Sequence, residues 1–267
     1  MDECRIDRAA RRRRTLAACV FLCCALAGCG LVRRPPATRS PLATTLQTFA
    51  PHADRDHFVY VWERFINGRR IGRGIQVEHV TALPAAGEFE VALSENGILS
   101  GRLRVRDDQH ALLLLDEEDV GAGLRVTYDP PLPQLAVPLH AGEQRANATA
   151  TLTLLSDGEA ITAAPVTQVV RASAAPDVRW FGGPARRAIM VRTTRTLQLP
   201  EGPRELSSDM LLVEGIGEVR SQGTASDMPV LRRQLACAFI GGRPLGDCSK
   251  LNEVWEEPNG AGSSDVQ

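Results

Sequence analysis

The chain is poor in lysine, in aromatic rings and in helical periodicity, and each shortage excludes something. Of 31 basic residues only Lys250 is a lysine, and the rest are arginines. Joined to the abundance of alanine, this reads as coding bias, so arginine pairs here do not mark nucleic-acid contacts. With 32 acidic residues and no basic stripe interleaved with rings, a DNA or RNA partner is excluded. Aromatics are 4% of the chain, and Trp62, Trp180 and Trp255 are too scattered to form a stacking platform. The five histidines (His52, His57, His79, His110, His140) stand alone, without His-x-x-x-His or Cys-x-x-Cys spacing, so no metal ligand set is expected.

Catalytic signatures are also missing. No Gly-x-Ser-x-Gly elbow presents a serine nucleophile. Gly215-Ile216-Gly217 lacks the third glycine of a phosphate cradle and no helical pattern follows, so it reads as a bend between strands. The acidic run at 116–119 lacks the alternating ligand spacing of a calcium loop and reads as a solvated turn. No catalytic residue and no cofactor is expected.

What is present begins with "RRRRTLAACVFLCCALAGCGLVRR", residues 11–34. Its apolar part, 15–32, barely reaches the length that crosses a hydrocarbon core of ~30 Å. A short core rich in small residues behind a basic block is the pattern of a removable export signal. It ends in Leu26-Ala27-Gly28-Cys29, which resembles the lipobox of bacterial lipoproteins. That resemblance implies cleavage after Gly28, a diacylglyceryl group on the Cys29 sulfur and an acylated new N-terminus. The implied membrane partner is reached through this lipid anchor. Gly30 lacks the aspartate that retains many lipoproteins at the inner membrane, so the expected address is the periplasmic face of the outer membrane. The competing reading is a signal anchor with an incidental cysteine.

Cysteine usage agrees with export. Of seven cysteines, Cys4, Cys19, Cys23 and Cys24 fall in the signal, Cys29 would carry lipid, and Cys237 and Cys248 remain. An isolated pair in an oxidising compartment is most simply a disulfide; a free or intermolecular thiol is the alternative. Removing residues 1–28 takes away six arginines and three acids, leaving 25 basic against 29 acidic residues and a charge near −4.

Composition divides the rest. Residues 29–55 hold Pro35, Pro36, Pro41 and Pro51 with no apolar period, and read as an extended, solvated tether after the lipidated cysteine. Residues 258–267 are a polar, Gly/Ser-rich tail. Residues 56–257 suffice for one sizeable domain.

That domain reads as all-β. In "EFEVALSENGILSGRLRVRDD", Phe89, Val91 and Leu93, then Leu99, Leu103 and Val105, alternate with polar residues at period two. A three-residue loop, Glu95-Asn96-Gly97, is expected from this face pattern. It sets Phe89 opposite Leu103 and Leu93 opposite Leu99, pairs Glu90 with Arg102 and Glu88 with Arg104, and puts Gly97 at positive φ. Asn67-Gly68 is expected to turn a hairpin with Phe58, Tyr60 and Trp62 facing Ile75 and Val77. An Asp157-Gly158 turn would set Leu154 opposite Ile161 and Thr153 opposite Thr162, and a further hairpin turns near 201–203. One short helix is expected near 227–239, capped by Asp227 with Pro229 in its first turn. Successive hairpins argue a curved antiparallel meander, curling into a half-barrel, a closed or partial barrel, or two packed layers.

Two stretches resemble periplasmic proteins of the DUF3108 type. "YDPPLPQLAVPLHAGEQ" presents Pro138, Leu139 and Gly142 leading into a Thr-rich strand, and "LLVEGIGEVRSQG" presents Gly215, Ile216, Gly217 and Val219. Glu214 stands where that family has proline, and Gln144 and Arg145 where it often has an aromatic. The resemblance implies a curved half-barrel and no established chemistry. The expectation is a non-enzymatic envelope lipoprotein, a binding or accessory module able to hold an apolar ligand or an envelope protein. The alternative is an envelope hydrolase whose His110 or His140 meets carboxylates in a cleft.

Overall fold

The computed structural model describes residues 40–225 and 228–248. Signal peptide, Cys29, helix cap Asp227 and polar tail all lie outside the described residues. The unit Ser40–Gln267 is built on thirteen strands in one antiparallel meander. They are β1 (His57–Ile66), β2 (Arg69–Ala82), β3 (Glu88–Glu95), β4 (Ile98–Asp107), β5 (Ala111–Asp119), β6 (Leu124–Ala136) and β7 (Gly142–Leu154). Then follow β8 (Ala160–Arg179), β9 (Ala185–Leu199), β10 (Gly202–Val213), β11 (Gly217–Ala225), β12 (Val230–Ile240) and β13 (Arg243–Gly246). One 3-10 turn, Leu46–Thr48, is the sole helical piece among the described residues.

The sheet closes. β1 pairs with β12 from His57↔Phe239 to Phe65↔Val230, making a twelve-stranded barrel rather than a half or partial barrel. From Val230 onward, the segment expected to form a helix is therefore the closing strand. Its far edge is shared, with β11 along Leu231 to Gln234 and β13 along Cys237 to Ile240. Closure satisfies backbone groups that an open edge would leave bare.

Alternation decides which residues line the interior. On β9, Ile189, Val191, Thr193, Arg195 and Leu197 are buried while Arg192 and Gln198 are exposed. The outer wall carries cross-strand ion pairs, including Arg104–Glu88 at 2.6 Å and Arg192–Asp209 at 2.6 Å. Glu143 bridges Arg145 and Arg171 there as well. An apolar interior inside a charged wall is the reverse of a membrane-spanning barrel, whose lipid face is an apolar band.

Bulges explain the registers that alternation alone misplaces. Asn96 and Gly97 both take positive φ (51° and 82°), so the turn has two residues, not three. A register shift next to Ser94 then returns the apolar residues to one face, giving Phe89↔Val105, Val91↔Leu103 and Glu90↔Arg104. The expected oppositions Phe89–Leu103, Leu93–Leu99, Glu90–Arg102 and Glu88–Arg104 are displaced, although the ion pairs Glu88–Arg104 (2.6 Å) and Glu90–Arg102 (3.8 Å) form on the diagonal. In β7–β8 a shift likewise gives Thr153↔Ala160 and Leu152↔Thr162 in place of Thr153–Thr162. At Asn67-Gly68 the turn stands where expected, but Ile75 and Val77 pair with Val61 and Val59 on the outer wall. Phe58, Tyr60 and Trp62 face inward instead, opposite Glu78, Gln76 and Gly74.

β6 departs from β7 after Asp129↔Thr149, although its pairing with β5 continues to Ala111↔Ala136. Pro130, Pro131 and Pro133 have no N–H to give the β7 edge, which accounts for the parting.

Candidate functional site: the barrel lumen

One end of the barrel is plugged by residues expected to be a solvated tether. Ala43, Leu46 and Phe49 are buried to 1%, 3% and 0% exposure, so the domain starts well before residue 56. The plug is fastened to the loops of that end. Leu42 N donates to Leu139 O, Gly215 N to Thr48 O at 2.7 Å, and Gln47 Nε2 to an Asp107 carboxylate oxygen at 3.2 Å. Buried Asp56 completes the fastening, accepting from Ala53 N at 3.0 Å and Gly241 N at 2.8 Å. Three apolar residues spaced by three among prolines, threonines and serine are too short a run to signal a helix or strand, so this role is hard to see in the sequence.

Above the plug is a well of about 240 Å³, lined by Phe49, Phe58, Val91, Leu112, Leu114 and Val191 among others. The lining also carries Glu78, Glu117, Arg195, Glu218 and Arg233, with Glu78 opposite Phe58 and Glu218 next to Gly217 toward the plugged end. A wider vestibule of about 1050 Å³ lies beyond, lined by Trp62, Leu93, Ile98, Leu124 and Leu231 among others. Well and vestibule share Leu103, Glu117 and Arg233, so the two adjoin along the lumen.

Two arginine-centred clusters form the polar belt. Arg195 of β9 reaches across to β5 and β6, its Nη1 donating to Glu117 Oε1 at 2.9 Å and Tyr128 Oη at 2.8 Å. Its Nε donates to Gln168 Oε1 at 3.3 Å, and Gln168 Nε2 donates to Pro133 O at 2.6 Å. The Tyr128 hydroxyl donates to Glu117. Burial holds that phenol far above its ordinary range, with the Glu117 charge adding to the effect, so it remains a donor.

The second cluster joins β12 to β1, β2 and β11. Arg233 donates from Nε and Nη2 to the Glu218 carboxylate, both at 2.8 Å, and from Nη1 to Glu78 at 2.5 Å. It also donates to Ser221 Oγ at 2.9 Å and stacks over the Tyr60 ring at 4.7 Å. Burial opposes the Arg233 charge, but Glu218 and Glu78 outweigh it and hold the guanidinium ionised. Glu78 is pushed up by burial, against the pull of Arg233, and Tyr60 is pushed up by burial and by both carboxylates. One cation thus serves two acids, and this cluster favours retention of a proton on Glu78.

The vestibule is shaped by glycines. Gly74 lies opposite Trp62, and a Cβ there would stand 2.6 Å from Trp62 Cζ2 and 2.5 Å from Asn96 Oδ1. Trp62 is buried, its Nε1 has no hydrogen-bond partner, and Arg64 stacks on its ring at 4.6 Å.

Of the residues singled out in the sequence, Cys237 and Cys248 are joined in a disulfide, Cα atoms 5.5 Å apart. Cys237 packs with Val59 and Ile75 on the outer wall, away from the passage. His110 and His140 are exposed on loops of the plugged end and do not line the lumen. His52, read as isolated, lines the well, its Nδ1 3.0 Å from Ala50 O. The 116–119 run is the end of β5 rather than a turn: Glu117 faces the lumen, and Glu118 meets Arg102 and Arg125 outside. Gly215 and Ile216 do form the bend between β10 and β11. The belt residues left one trace in the sequence, as polar interruptions at inward positions of otherwise apolar strands.

No family model and no curated protein matches the chain. The resemblance to the DUF3108 type therefore stays with its short motifs. Among solved structures the chain is similar to a Bacteroides fragilis protein described as exported and of YmcC-like fold. Identity is 13% and the TM-score 0.44, over 70% of this chain and 97% of that one. It is also similar to a protein from Parabacteroides distasonis described as a lipoprotein (9%, TM-score 0.41, 70% and 97%). A third is the hypothetical lipoprotein YmcC from Escherichia coli (9%, TM-score 0.36, 67% and 83%). These likenesses are distant, and the function proposed below rests on the geometry of the lumen.

Proposed function

We propose that this is a non-enzymatic envelope lipoprotein, held by lipid on Cys29 at the periplasmic face of the outer membrane. Its barrel holds an amphiphile with its apolar chain in the well. The observation that carries this reading is the lumen itself, closed at one end by Phe49, lined by apolar side chains around two arginine-centred clusters, and adjoining a vestibule at the far end. Such a cavity, apolar with a few fixed polar groups, is the common form of a small-molecule site. The charged outer wall supports a barrel standing in water, and Leu26-Ala27-Gly28-Cys29 supports the anchor. Loss of lipid labelling in Cys29→Ala is expected; labelling that persists would refute the anchor.

The alternative, an envelope hydrolase, draws on one observation: Glu78, held up by burial, feels the charge of His52 in the same well. Among the described groups, however, the belt acids engage arginines, and the Ser221 hydroxyl near Glu218 accepts from Arg233.

The test is uptake of a fluorescent apolar probe by the chain 40–267, which contains the complete ladder and core. Val191→Phe, which fills the well from β9, should weaken uptake at least about tenfold while costing about 1–3 kcal/mol of stability. Unchanged uptake in the folded variant would place the probe elsewhere and sink the proposal. Turnover of a chromogenic ester that disappears in Glu78→Gln would favour the hydrolase.

A further inference from the structure

We propose that the open rim of the barrel docks on an anionic lipid surface through the β1–β2 and β3–β4 hairpins. This goes beyond ligand holding and rests on different residues. Seven large apolar side chains are exposed among the described residues, and six of them lie on the hairpins of the open end. Four of the six are Ile98 at 75%, Met228 at 67%, Ile71 at 53% and Ile66 at 47%. Because β11, β12, β1, β2, β3 and β4 are consecutive around the barrel, these four occupy one side of the rim.

Charge selects the occupant. The hairpin "ERFINGRRIGR", residues 63–73, carries four arginines and one glutamate, in a mature chain that is net acidic. Glu63 is taken by Arg70 at 3.0 Å, and Arg64 is paired with Glu95 at 2.8 Å. Arg69 is exposed and has no acidic partner among the described residues. Exposed isoleucines beside uncompensated arginine are the composition that inserts at the headgroup boundary of an anionic bilayer. On the other side of the rim, Ile161 and Leu206 stand near Asp157, Glu159, Glu201 and Glu205, which would repel such a surface. The vestibule lies inside this rim and shares Ile98 with it, so a docked barrel would open its passage toward the lipid.

The test is flotation of the chain 40–267 with phosphatidylglycerol-containing vesicles and with phosphatidylcholine vesicles, at low and high salt. Binding to the anionic vesicles alone, weakened by salt, is expected. Arg69→Gln should lower partitioning about fivefold, from the loss of one charge at the surface. Ile66→Asn with Ile98→Asn should lower it at least about tenfold, from lost apolar burial. Arg192→Gln, on the outer wall, should leave it unchanged. An unchanged β-sheet circular dichroism spectrum and urea midpoint in the rim variants show that they remain folded. Absence of flotation, or flotation equal in the rim variants, would overturn the proposal. So would self-association abolished by Ile98→Asn without vesicle binding, which would make the rim an interface between copies.

Discussion

Replacing Arg195 by methionine tests whether the cross-lumen cluster braces the barrel. The side chain is 10% exposed and holds Glu117, Tyr128 and Gln168, from three other strands, in one network. Methionine fills much of the same volume but leaves the Glu117 charge unpaired and the Gln168 carbonyl oxygen, in a fully buried residue, without a donor. An orphaned buried acceptor costs ~1–3 kcal/mol. Breaking a buried ion pair from one side costs ~3–5 kcal/mol. Glu117 is 30% exposed to the lumen, so water takes over part of the lost pairing and the lower figure applies. The expected loss is therefore about 3 kcal/mol, read as a lower urea midpoint at unchanged slope. Arg195→Met combined with Glu117→Leu removes both charges and should regain about half or more of that loss. A single variant within about 0.5 kcal/mol of the parent, or a pair whose effects simply add, would refute the brace.

Three further outcomes follow from the geometry. Glu78 binds its proton more tightly in the folded than in the unfolded chain, so its contribution to stability rises as pH falls through the folded pKa toward the ordinary glutamate value. Glu78→Gln should flatten that part of the curve of unfolding free energy against pH, and an unchanged curve would contradict the assignment. Phe49→Ala, at a side chain with no exposure, should cost ~3–5 kcal/mol in chemical unfolding and make the plug susceptible to limited proteolysis. Non-reducing peptide mapping of the exported protein should find Cys237 joined to Cys248, a closure worth at most ~3 kcal/mol for so short a loop. Two free thiols there would contradict the structure.

Period-two alternation made most of the wall legible from sequence, because one face of each strand is buried and the other is wet. The turn at Asn67-Gly68 was legible for a local reason, the need for positive φ, whereas at Asn96-Gly97 the place of the turn was legible but not its two-residue length. Registers were not, because bulges in β3–β4 and β7–β8 insert a residue whose cost and compensation lie in neighbouring strands. β12 looked helical because Arg233 sits at an inward position and breaks its apolar alternation; only Glu78 and Glu218, distant in sequence, make that position tolerable. The plug was missed because Ala43, Leu46 and Phe49, spaced by three, form too short a run to signal an element and gain burial only from a barrel already closed. Closure itself depends on pairing His57 with Phe239, across nearly the whole domain, and no local pattern encodes it.

The central claim, that the lumen holds an amphiphile, is met most directly by native mass spectrometry of the barrel released gently from the envelope. The account predicts an added mass of lipid or fatty-acid character that is retained by the parent and depleted in Val191→Phe. Bare protein alone, or an added mass equally present in Val191→Phe, would contradict it.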